Sequence, residues 1–151
     1  MVFHQILITS STCRVKLDEL VNGTFQTVIG EIDNIDPKQV KRVVLCSGKV
    51  YYDLLEQRRA NNQTDVAIIR IEQLYPYPHE DVKKALEPYA HVTDYVWCQE
   101  EPLNQGAWYC SKHNFDSSLP EHVKLKYAGR PASASPAVGI CLYTPNSKNN
   151  W

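Results

Sequence analysis

Two adjacent carboxylates, Glu100 and Glu101, end an apolar run, Val96-Trp97-Cys98-Gln99, and are followed at once by Pro102. Such a pair can do general acid–base work where water is excluded. Along an extended chain, however, neighbouring side chains point to opposite faces, so these two make a poor catalytic pair for each other. The reading that follows is one acid tied to a neighbouring subunit or a loop N–H, and the other solvated. Beyond them come Asn104, Gln105 and Gly106, then Trp108 and Tyr109. Together with Trp97 these aromatics bracket the turn, and side chains of that size either fill a core or anchor an interface. Two tryptophans beside a polar loop favour the interface. Glu100, Glu101, Asn104, Gln105 and Trp108 are therefore the candidate contacts to a partner chain.

Anion binding is the second chemistry to weigh. Ser47-Gly48-Lys49 stands where a strand should give way to a helix, and free backbone N–H groups beside an ammonium suit an anion there. Neither Gly-x-x-x-x-Gly-Lys nor Gly-x-Gly-x-x-Gly is present, so a tight turn with a surface lysine is the first reading and a phosphate site the second. Arg130, held between Gly129 and Pro131 with Ser133 and Ser135 close by, offers a rigid fork for a carboxylate or phosphate. A structural salt bridge stands ahead of a ligand contact. Lys49, Arg130 and Ser133 are thus the candidate regulatory anion or nucleotide residues. The five histidines lack metal-ligand spacing, and Ser111-Lys112-His113 is no catalytic arrangement, because triads assemble across a fold. No catalytic or metal residue is assigned. The five cysteines show no Cys-x-x-Cys and no zinc spacing, which fits free buried thiols in a reducing cytoplasm.

These residues need a scaffold. Lys41 to Cys46 and Val66 to Ile71 are continuous apolar, β-branched runs of the kind buried on both faces of a parallel sheet. From Lys49 the period turns helical, with Val50, Tyr51, Leu54 and Leu55 inward, Asp53, Glu56, Arg58 and Arg59 outward, and Asn61-Asn62 as the stop. The prolines of Leu74-Tyr-Pro-Tyr-Pro exclude helix until His79. A short helix follows over His79 to Leu86, its acids early and its lysines late. A third strand covers Asp94 to Gln99, a helix about Asn104 to Phe115, and an alternating edge strand Val123 to Tyr127. The segment 129–137 reads as a loop. Residues 17–37 read as an extended lead-in with one edge strand, in which Glu31, Asp33 and Asp36 are solvated. Right-handed crossovers then give an α/β fold: a three-layer α/β/α sandwich with a mostly parallel sheet and one antiparallel edge strand.

A chain of 151 residues is large enough for one real core. Its net charge of −1 leaves no footprint for nucleic acid or an anionic membrane. Arg58-Arg59 and Lys83-Lys84 are too short to change that and read as solvated helix faces. No apolar run approaches the ~20 residues of a spanning helix, and the first residues carry no signal or transit peptide.

Four blocks carry a resemblance. They are Leu-Cys-Ser-Gly-Lys-Val-Tyr-Tyr-Asp-Leu (45–54), Arg-Ile-Glu-Gln-Leu-Tyr-Pro-Tyr-Pro (70–78), Trp-Cys-Gln-Glu-Glu-Pro-Leu-Asn-Gln-Gly-Ala-Trp (97–108) and Tyr-Ala-Gly-Arg-Pro-Ala-Ser-Ala-Ser-Pro-Ala (127–137). In this order they closely resemble the C-terminal domain of the 2-oxoglutarate dehydrogenase E1 component, itself similar to the transketolase C-terminal domain. Asn22-Gly-Thr-Phe and Ile29-Gly-Glu-Ile-Asp extend the likeness, which spans residues 17–139. Residues 1–16 and 140–151 do not look like the family and read as an irregular extension and a divergent tail, as either a fragmented or frame-altered gene or an artificial boundary would leave. The resemblance implies a homodimeric parent enzyme of the tricarboxylic acid cycle. That enzyme holds thiamine diphosphate and Mg²⁺ between preceding domains, oxidatively decarboxylates 2-oxoglutarate and passes succinyl to the lipoyl group of E2, dihydrolipoyl succinyltransferase. It implies for this chain a structural, dimer-supporting domain with no cofactor site of its own. Such a domain would be inactive alone, partnered by the preceding E1 domains and a second E1 subunit, and cytoplasmic (the mitochondrial matrix in a eukaryote). The alternatives are a regulatory module for a nucleotide or acetyl-CoA, and a non-functional gene remnant.

Overall fold

Val43, Val44, Leu45 and Cys46 are all buried, and so are Ala67, Ile68 and Ile69. Strands so apolar on both sides must lie inside a sheet covered on both faces, and that is the arrangement found. In the computed structural model, residues 21–120 and 123–135 are described. The expectations for residues 1–16 and 140–151 lie outside them. In chain order the regular elements are β1 (Val28–Ile29), β2 (Arg42–Cys46), α1 (Val50–Ala60), β3 (Val66–Ile71), α2 (His79–Leu86), β4 (Asp94–Pro102), α3 (Ala107–Ser118) and β5 (Lys126–Arg130), with two short 3-10 turns at Pro37–Gln39 and Glu87–Tyr89.

The strands lie in the order β1-β3-β2-β4-β5. β2, β3, β4 and β5 are parallel, and β1 runs antiparallel along the outer side of β3. The antiparallel edge strand therefore belongs to the lead-in segment. Alternation sorts the core into two layers. Val43, Leu45, Ile69, Ile71, Tyr95 and Trp97 pack with α2 and α3 through Val82, Leu86, Trp108 and Phe115. Val44, Cys46, Ile68 and Cys98 pack on the other face with Val50, Tyr51 and Leu55 of α1. The Trp97 ring stacks on Phe115 at 4.3 Å between centroids.

Four expectations are corrected. The last strand is Lys126–Arg130, not Val123 to Tyr127. Val123 and Leu125 are buried in the approach to the sheet, which supplied the alternation, and pairing with β4 starts only at Lys126. Gly129 and Arg130 accordingly lie in the strand and not in a loop. β4 runs on past Gln99 to Pro102, so Glu100 and Glu101 are strand residues. The register with β5 shifts between Cys98 and Pro102, an irregularity that lets both adjacent acids face solvent.

The fourth correction concerns the lead-in. Arg58 is not on a solvated helix face, because only 4% of it is exposed. Its guanidinium donates to both carboxylate oxygens of Glu31, to Asp33 Oδ2 at 2.7 Å and to the Val66 carbonyl at 3.0 Å. Glu31 also accepts from the N–H groups of Ile68 and Asp33, each at 2.9 Å. Burial would raise the Glu31 carboxyl, but Arg58 and the two N–H groups outweigh it and hold it below its ordinary value. Arg59 pulls Asp33 down against its partial burial, and with Arg58 holds it at about 2. The lead-in is thus bolted to α1 and β3 by charge-assisted bonds.

Candidate functional site

The carboxyl ends of parallel strands are where sites gather in such folds. Here β2 ends at the Ser47-Gly48-Lys49 turn, β4 at Glu100–Pro102 and β5 at Arg130, so the candidate residues converge on one rim of the sheet. Gly48, at φ +71°, makes the turn that brings Lys49 round. Lys49 Nζ donates to Glu100 Oε1 at 2.7 Å and pairs with Asp53 at 3.6 Å. Burial works to lower the Lys49 ammonium, but Glu100 and then Asp53 outweigh it and hold it above its ordinary value. Arg130 Nε donates to the Glu100 carbonyl at 3.0 Å. A candidate anion residue and a candidate interface residue are therefore each other's partners.

The loop after β4 is closed by its own polar groups. Asn104 Nδ2 donates to the Ser133 carbonyl at 3.0 Å while its Oδ1 accepts from the Ser133 N–H at 2.9 Å. Gln105 Nε2 reaches the same carbonyl at 3.3 Å, and the Leu103 N–H donates to the Arg130 carbonyl at 3.0 Å. Residues 103–105 and the chain after β5 thus form one hydrogen-bonded ledge, with Glu101 and Asn104 exposed on it. Trp108 is placed differently from its expected role. Only 7% of it is exposed, and it packs in the core against Tyr127 at 5.2 Å between centroids. A side chain already buried in its own chain has almost no area to offer a partner.

Sequence reasoning missed Gln99, which organises the ledge. It is 3% exposed. Its Oε1 accepts from Trp97 Nε1 at 2.9 Å and from the Trp108 N–H at 3.1 Å, the latter an orphan donor in the first turn of α3. Its Nε2 donates to the carbonyls of Gln105 at 2.7 Å and Pro102 at 3.3 Å. Gly106 is required beside it: φ is +69°, and a Cβ there would stand 2.9 Å from Gln99 Nε2. Tyr127 Oη donates to the Glu101 and Arg130 carbonyls, both at 3.2 Å, tying β5 to the same loop. The signal in the sequence was a lone amide between an apolar run and two acids, followed seven residues later by glycine.

Among the described residues the remaining thiols and acids form no second cluster. Cys46 and Cys98 are buried side by side on β2 and β4, as expected, and burial raises both thiols, Cys98 to about 12. Cys110 is exposed. A magnesium-bound diphosphate needs clustered oxygen ligands and free positive charge or N–H groups. Among the described residues no group of three or more His, Cys, Asp or Glu could hold a metal, and Lys49 is committed to two carboxylates. The rim does not fit thiamine diphosphate with Mg²⁺. No helix among the described residues is long and apolar enough to cross a membrane.

The sequence matches the family profile described as 2-oxoglutarate dehydrogenase C-terminal over residues 14–149. It is 86% identical over 133 residues to the 2-oxoglutarate dehydrogenase E1 component of Haemophilus influenzae, an alignment covering 87% of this chain and 14% of that protein. It is 55% identical over 126 residues to the E1 component of Azotobacter vinelandii, covering 82% of this chain and 13% of the relative. A probable 2-oxoadipate dehydrogenase complex component E1 homolog of Dictyostelium discoideum is 41% identical over 138 residues, covering 90% of this chain and 15% of the relative. The chain spans only about one seventh of the length of these curated relatives.

Proposed function

The chain belongs to the 2-oxoglutarate dehydrogenase C-terminal family, and from that premise we propose that it is the association domain of a 2-oxoglutarate dehydrogenase E1 component. The parent activity is oxidative decarboxylation of 2-oxoglutarate in the tricarboxylic acid cycle, with thiamine diphosphate and Mg²⁺ held by other parts of the polypeptide. Succinyl then passes to a lipoyl group on E2, in the cytoplasm of a bacterial cell. The observation that supports an association role is the ledge at the carboxyl rim. Asn104 and Gln105 are held on Ser133 by hydrogen bonds, and Glu101 stands exposed beside them. A preorganised surface of this kind loses little entropy on docking. Glu100 and Gln105 set its shape, and Trp108 supports it from beneath.

The test has two arms. The purified chain, given thiamine diphosphate, Mg²⁺ and 2-oxoglutarate, releases no CO₂; turnover would overturn the proposal. In a full-length E1 carrying this domain, Glu101→Arg weakens the homodimer in sedimentation velocity and leaves the thermal melt of the domain unchanged.

A second reading has one observation in its favour. Lys49 and Arg130 converge on Glu100, and Ser133 lies close along the same ledge. A phosphate from AMP or acetyl-CoA that displaced the Glu100 carboxylate would meet Lys49, with Arg130 held at the main chain of the same residue. Calorimetric titration decides it: no heat and no thermal shift at millimolar ligand removes this reading.

A further inference from the structure

A different part of the carboxyl rim, beyond β3, is poor in charge: its nearest carboxylates are Glu72, paired with Arg70, and Asp81, which accepts from the Thr27 hydroxyl. Residues 22–27 (Asn-Gly-Thr-Phe-Gln-Thr) and 73–78 (Gln-Leu-Tyr-Pro-Tyr-Pro) contain no Asp, Glu, Lys or Arg, in a chain that is 22% charged. The fold brings the two stretches together. β1 is antiparallel to β3, and the Thr27 carbonyl accepts from the N–H groups of Glu72 at 2.9 Å and Gln73 at 3.1 Å. The chain before Thr27 therefore runs beside the chain after Gln73. Leu74 and Tyr77 pack down onto the core, and Gln73 Nε2 donates to the Pro76 carbonyl at 2.6 Å. That anchored loop holds Tyr75 outward with 92% of it exposed, and Phe25, two residues before Thr27 on the lead-in, is 70% exposed.

Depletion of charge with exposed aromatics on a stiff support is the composition of an interface core. A proline-braced loop loses little freedom when covered. We propose that this charge-poor aromatic end, centred on Phe25 and Tyr75, is the surface on which the upstream part of the same E1 polypeptide packs. The proposal rests on the E1 reading above. The relatives are about seven times longer than the aligned stretch, and the matching family is a C-terminal one. In such a protein the preceding chain reaches the domain through the lead-in, and residues 22–27 of that lead-in are half of the surface. A covalently tethered partner meets the patch at high effective concentration. A second copy of this chain has no such advantage.

The test compares hydroxyl-radical footprints of the chain alone with those of a full-length E1 in which this domain replaces that of the 86% identical relative. Phe25 and Tyr75 are expected to be oxidised several-fold more slowly in the active full-length protein, while His91, exposed at the opposite rim, stays equally reactive. An active E1 whose Phe25 and Tyr75 react as fast as in the chain alone overturns the surface and leaves the E1 reading standing. Protection already present in the chain alone, rising with a sedimenting dimer, assigns the patch to a second copy and also overturns it. A chimera that is inactive or does not fold overturns the E1 reading itself.

Discussion

Gln99 joins two strands' ends and a helix start through one amide, so it is the residue on which the ledge depends. Gln99→Leu keeps the volume and strands the Trp97 and Trp108 donors and the Gln105 carbonyl. The expected cost is roughly 2–4 kcal/mol, since more than one buried group loses its partner, and urea unfolding measures it. Gln99→Glu keeps the acceptor and loses the donor to Gln105. Its destabilisation should therefore shrink as pH falls and the new carboxyl takes up a proton; a cost independent of pH would show that the donor side carries nothing. Trp108→Ala should cost about 3–5 kcal/mol of folding stability, as core truncations of this size do, and should not act selectively on association. Residue type made Trp108 legible as an anchor of something. Which way Trp108 faces was not legible: two tryptophans beside a polar loop suit an interface or a core by type, and α3, starting at Ala107, turns this one onto Tyr127 and the core.

The lead-in and α1 are held by Arg58 inserted between Glu31 and Asp33, and this element-scale bolt has a signature in pH. Both carboxyl groups are depressed in the folded chain, Asp33 to about 2. A depressed acid contributes stability that is present above its unfolded value of about 4 and is lost as pH falls toward the folded value. Stability should thus be level above about pH 5 and decline from there toward pH 2. Arg58→Met should remove about 3–5 kcal/mol at neutral pH by leaving buried carboxylate unpaired, and should flatten that acid slope. Adding Glu31→Leu to Arg58→Met should recover part of the loss. Denaturant melts across the pH range check both, and an unchanged acid slope in Arg58→Met would rule the bolt out. The strands β2 and β3 and the helix α2 were legible because burial on both faces and proline punctuation are local signals. The bolt was not. Glu31 is 27 residues from Arg58, and nothing local distinguishes a paired acid from a solvated one.

At the scale of the molecule the two rims of the sheet differ in kind, and composition alone, with a net charge of −1, averages that difference away. The amino rim is laced with charge: Asp94 bridges Arg42 at 2.7 Å and Lys126 at 2.8 Å. Lys38, Lys41, Asp65 and His91 line an open groove of ≈ 710 Å³ beside it. The carboxyl rim holds the ledge at one side and the charge-poor Phe25–Tyr75 end at the other. Strand order places the two on the same rim because β3 and β4 flank β2 and run parallel to it. Desolvating the amino rim would strip water from many half-paired charges, a penalty that exposed ion pairs repay poorly. Covering the carboxyl rim strands few charges, since Glu100 and Lys49 already satisfy each other. Association should therefore use one rim only. Lys41→Glu together with Lys126→Glu should change stability by no more than about 0.5–1 kcal/mol and leave the sedimentation of a full-length E1 untouched, although the pair shifts net charge by four. Tyr75→Ser with Glu101→Arg, a smaller change in charge, should loosen the assembled enzyme. If instead the amino-rim pair breaks the assembly and the carboxyl-rim pair does not, the polarity assigned to the sheet is reversed.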